Sequence, residues 1–179
     1  MTSDQPPSPA KGKWPNPNNL MLSVTNLYAM RAITLAFAQP QPPFAALGSI
    51  LALSMFASIA YHFVERRLRS HPYMEGKRLL GWISEDNEES VLLAVDRVLS
   101  VAALAGVAGV CGFDVIKRVA IGSESWWVLP AAFGSAVLGE LGKDFQFAGF
   151  SGYAWAHGCG WHVLVYHLPY LCIRTAIQA

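Results

Sequence analysis

The stretch FAALGSILALSMFASIAYHF, from Phe44 to Phe63, runs for twenty residues without a formally charged side chain. As an α-helix it would be about 30 Å long, the thickness of a bilayer's hydrocarbon core. A helix that is apolar all round must be surrounded by protein or by lipid. With 179 residues in total there is little protein to surround several of them.

There are several. Leu20–Ala38, LMLSVTNLYAMRAITLAFA, is long enough to span and carries Arg31 near its middle. The link QPQPP then breaks the chain before the second segment. Val91–Phe113 holds Asp96 and Arg97 near its start. A weaker segment around Val119–Leu141 is interrupted by Gly122, Ser123, Glu124 and Pro130, and Phe147–Ile173 is the last. The pattern predicts an all-α fold, a multi-pass transmembrane helical bundle of about five helices. These fall near 20–38, 44–63, 91–113, 119–141 and 147–173. Residues 1–19 form a polar, Pro-rich tail, and 20–179 a single membrane domain. Charged residues make up 14% of the chain, against about 25% in soluble domains. Most of them lie in the tail and in residues 64–90.

Five crossings place the tail, the 64–90 loop and the Glu140–Asp144 turn on one side. That side collects Lys11, Lys13, Arg66, Arg67, Arg69, Lys77, Arg78 and Lys143; the other collects Lys117, Arg118 and Arg174. The bias orients the N-terminus towards cytosol, matrix or stroma of an integral membrane protein, without saying which membrane. A net charge of +1 and the lack of a basic stripe argue against a nucleic-acid partner. Cys111, Cys159 and Cys172 lie in apolar segments without a CxxC pair and read as buried free thiols.

Ionisable groups inside a membrane span are costly, which makes each a functional candidate. Ser58 and His62 are four apart and share a face of the second helix. Asp96 lies about 7 Å into the third helix. HGCGWHVLVYH, residues 157–167, carries three of the five histidines. The topology brings Ser58, His62, Asp96 and His157 into one leaflet, with His167 deeper. Such a group suits zinc, which takes three imidazoles and keeps a fourth position for water whose pKa falls to roughly 7. A carboxylate can then take a proton and a hydroxyl can steady an oxyanion. His62, His157 and His162 would be the metal ligands, with Ser58 and Asp96 in the catalytic roles. The spacing resists this, because residues five apart on an ideal helix diverge by about 140°. A π-bulge would absorb the extra residue, and Gly158, Cys159 and Gly160 make distortion easy. Other uses stay open. Two opposed histidines could ligate haem b, Asp96 could pair with Arg31 or Arg97, and Ser58 could bond its own helix backbone.

SIAYH at Ser58–His62, VDR around Asp96 and HGCGWH at His157–His162 resemble the CREST superfamily of membrane hydrolases. That group includes alkaline ceramidases, progestin and adipoQ receptors and myomaker-like proteins. NNLMLSVTNLYAM at the opening of the first helix is most similar to the myomaker-like branch. The resemblance spans roughly residues 18–175. It implies a zinc held by the three histidines beside Ser58 and Asp96, and a lipid amide as substrate. The family has Ser-x3-His on the second helix, Asp on the third and His-x3-His on the last of seven. This chain has room for about five helices, and one residue more lies between its last pair of histidines. Two functions follow. One is a zinc-dependent hydrolase of membrane-lipid amides. The other is a non-catalytic accessory subunit of a larger membrane complex, contacting other subunits through the N-terminal tail.

Overall fold

The computed structural model describes residues 17–64, 87–122, 126–145 and 154–179. The N-terminal tail and the 64–90 loop, apart from their edges, lie outside the described residues. Among the described residues the chain is helical, with no strand. Helix α1 covers Pro17–Phe37 and contains a 3₁₀ segment at Asn26–Ala29. Helix α2 is Pro42–Val64 and α3 is Asn87–Cys111. Two shorter helices follow, α4 at Phe113–Ile121 and α5 at Val128–Phe145. Helix α6 is a π-helical segment, Trp155–His162, continued by an α-helix at Val163–Ile177.

Three helices are long and apolar enough to cross a membrane: α1, α2 through Phe63, and Val91–Cys111 of α3. Their packing fits that environment. The core is a narrow seam of residues repeating at three and four positions. It runs through Ala29, Ala32, Ile33 and Ala36 of α1, Leu47, Leu51 and Met55 of α2, and Ala103 and Val107 of α3. Val115 and Val119 of α4 and Tyr166, Cys172 and Ile173 of α6 close it. Large apolar side chains also cover the outside, including Phe56 at 61% and Val101 at 64% exposure. In water an apolar surface that wide would associate; in a bilayer it is solvated.

The segment expected as one helix over 119–141 is instead two, α4 and α5. The cause is local. Gly112 turns the chain after α3 at a φ of 81°. The next helix then starts at Phe113 and stops before Gly122, whose extended backbone ends it. Asp114, Lys117 and Arg118 face outwards on α4 while Val115 and Val119 pack inwards, so α4 is a short amphipathic piece rather than part of a span.

Candidate metal centre

Helix α2 delivers His62 with a regular helical stripe. Ser54, Ser58 and His62 follow at four-residue intervals, and all three are buried. Two groups of α1 fasten the end of this helix. Asn19 Nδ2 donates to the His62 carbonyl at 2.8 Å, and the Ser23 hydroxyl donates to the Ile59 carbonyl at 3.3 Å. The last carbonyls of a helix have no partner within it, so Asn19 supplies one that the helix lacks.

Helix α6 delivers its histidines differently. Residues Trp155 to His162 are π-helical, with hydrogen bonds closing over five residues rather than four. The wider turn places side chains five apart nearly above one another, so His157 and His162 point to the same side. Glycines allow the wide turn to pack. A Cβ on Gly160 would lie 2.4 Å from Ser135 Oγ of α5, and one on Gly158 would lie 3.1 Å from Thr25 Oγ1 of α1. Only hydrogen fits at Gly160.

The three rings meet. Ring centroids are 4.6 Å apart for His157 and His162, 4.9 Å for His62 and His162, and 5.2 Å for His62 and His157. One nitrogen of each lies within 4.8 Å of the others. Three atoms no farther apart than that share a point about 2.8 Å from each (the side divided by √3), against the 2.0–2.1 Å of a zinc–imidazole bond. Side-chain shifts of under about 1 Å would close the shell, so the three histidines could hold a metal ion. Rings in mutual contact leave no slot for a porphyrin between any two of these three.

The surroundings of His162 suit a ligand. Its Nδ1 is 3.0 Å from Thr25 Oγ1, whose own hydrogen goes to the Leu22 carbonyl at 2.9 Å. Asn26 Nδ2 lies 3.2 Å from the same Nδ1 and donates to the Leu22 carbonyl at 2.9 Å. Thr25 and Asn26 thus hold the Nδ1 edge of the ring, and its other nitrogen is the one left to face a metal. His62 and His162 are 1% and 3% exposed, while His157 is half-buried. His157 is thus the most accessible of the three from outside the bundle.

Below the histidines lies a layer of hydroxyls. Tyr166, one turn after His162, lies beside Ser54, Ser58 and Asp96. Ser54 Oγ is 3.4 Å from Ser100 Oγ, one turn beyond Asp96 on α3. Asp96 is half-buried and its Oδ1 is fully enclosed. Ser58 and Asp96, singled out in the sequence, thus lie in the layer next to the three histidines. Arg31 does not serve as the partner of Asp96; its guanidinium lies over the rings of Tyr170, at 4.4 Å, and Tyr28. His167 lies apart from the other histidines and bonds Tyr28.

Sequence reasoning missed Thr25, Asn26, Ser54 and Tyr166. Four-residue spacing from Ser58 and from His162 marked Ser54 and Tyr166; nothing in the sequence marked the two on α1. The chain matches no family model, no curated protein and no solved structure.

Proposed function

We propose that the protein is a zinc-dependent hydrolase of membrane-lipid amides or esters, built on a shortened CREST-like bundle. The π-helical turn carries this reading, because it turns a histidine spacing that an ideal helix would waste into two ligands facing His62. His62, His157 and His162 would hold the ion, which when bound supplies Lewis acidity and lowers the pKa of a water to about 7.

The rest of the chemistry belongs to the side chains below. Asp96 takes a proton from the attacking water. The Ser58 and Tyr166 hydroxyls donate hydrogen bonds to the oxygen that gains charge as the carbonyl becomes tetrahedral. When the C–N or C–O bond breaks, Asp96 returns its proton to the leaving nitrogen or oxygen. The exposed apolar flanks of α2 and α3 leave a lipid acyl chain in apolar surroundings while its head is worked on.

The test is elemental mass spectrometry on protein purified in mild detergent without chelator, followed by hydrolysis assays on lipid amides and esters. The expected result is about one zinc per chain in the wild type, none in H62A, and one in D96N. Hydrolysis in D96N should fall by roughly 10²–10⁴-fold. Zinc-loaded wild type that cleaves neither class would make the metal structural and the protein a non-catalytic subunit. Folded wild type without metal would end both uses of the site.

A further inference from the structure

At the other end of α6 the chain builds a second polar site, and it does not depend on the metal reading. A cavity of about 360 Å³ opens between α4, the start of α5 and the end of α6, within the size range of small-ligand sites. Its polar lining is Arg118, Arg174, Thr175, Gln178, His167 and Trp127. Its far end, at Arg174, follows His162 by twelve residues, about 18 Å along the helix.

Every one of these side chains can donate a hydrogen bond. Arg31 can only donate, so the Tyr28 oxygen accepts from it. With the Tyr28 hydrogen given to His167 Nδ1, 3.3 Å away, the neutral ring keeps its proton on Nε2 as a further donor. No acidic side chain is among the described residues lining the cavity. The same helix as Arg118 carries Asp114 one turn earlier, but Asp114 does not line the cavity. Two guanidinium forks beside neutral donors and apolar walls match the oxygens of a phosphate group.

We infer that this cavity binds a phosphate-bearing ligand, held by Arg118 and Arg174 with His167 as a neutral donor. The phosphate can belong to the head group of an anionic phospholipid or to a small soluble molecule. Two measurements on the purified full chain separate these. Native mass spectrometry from micelles doped with phosphatidylglycerol reads lipid retention, and the thermal midpoint with added inorganic phosphate reads the soluble source. Lipid retained by the wild type and bound at least about tenfold more weakly by R118Q/R174Q supports the site and assigns it to lipid. A phosphate-dependent rise in midpoint, absent from the double variant and without lipid retention, supports it and assigns a soluble ligand. K117Q removes a neighbouring charge outside the cavity and should behave as wild type. R174K keeps the charge but not the fork, and covers the case in which the double variant does not elute as a single species; it should show an intermediate loss. Equal behaviour of wild type and R118Q/R174Q in both measurements overturns the assignment. So does wild-type binding in R174K if the double variant misfolds, or a K117Q loss as large as that of the double variant.

Discussion

Helix α2 and the first half of α6 do the same job with different backbones. Helix α2 is regular, and its polar stripe Ser54, Ser58 and His62 advances by four. Helix α6 advances by five from His157 to His162 across a π-helical turn, then by four to Tyr166. Both end with imidazoles at one point. Both are braced from α1, the regular helix at its backbone by Asn19 and Ser23 and the irregular one at the His162 ring by Thr25. Only the irregular one also needs a hydrogen at Gly160. The extra residue is tolerated because neighbouring helices fit around the distortion.

The sharpest way to break this comparison is to change the length of each helix by one residue. Inserting an alanine between Ile59 and Ala60 rotates His62 by about 100° away from Ser58, and zinc should fall from about one per chain to none. Deleting Cys159, which is exposed, leaves His157 and His162 four apart, and zinc should stay near one. Loss of zinc in the deletion as well would mean that the π-helical turn sets more than the spacing.

A smaller effect separates how the two helices hold their ligands. T25V removes the hydroxyl that meets His162 Nδ1, and zinc affinity should drop about 10–100-fold in a chelator competition. N19A acts on the His62 backbone, not its ring. It should leave affinity nearly unchanged while costing about 1–3 kcal/mol of stability for the carbonyl it strands. Equal affinity losses in the two variants would erase the distinction.

The smallest effect concerns packing. G160A should lower stability by about 1–3 kcal/mol through overpacking against Ser135, and S135G should recover most of it. In α2, a Cβ on Gly48 would sit 3.2 Å from the Phe37 ring. There G48A should cost less than about 1 kcal/mol, because alanine's helix propensity offsets the contact. Thermal midpoints in detergent would read both.

Much of this was legible in the sequence, for identifiable reasons. Apolar length marked α1, α2 and α3, since a bilayer-length run has few other uses. The Ser58–His62 interval predicted a shared face, and alternating topology put His62 and His157 on the same side, where their rings do meet. The five-residue interval raised the need for a π-bulge. What stayed hidden was the contribution of α1. An Asn or Thr on an apolar helix carries no mark of its partner, so the bracing of His62 by Asn19 and of His162 by Thr25 emerges only from the packing. The division into α4 and α5 was half visible: Gly122 was read as an interruption, but the turn at Gly112 was not.

The 3₁₀ segment of α1 matches lengths between two neighbours. Thr25 meets His162 and Tyr28 meets His167, so α1 and α6 run in the same sense and share two rungs. Along α6 the rungs are five residues apart, about 7.5 Å. Along α1 they are only three apart, about 4.5 Å were the chain α-helical there. The Asn26–Ala29 turn stretches that interval to about 6 Å and aligns residues three apart on one face. It works as a vernier between two unequal scales: a slip by one residue along either helix would misalign both rungs at once.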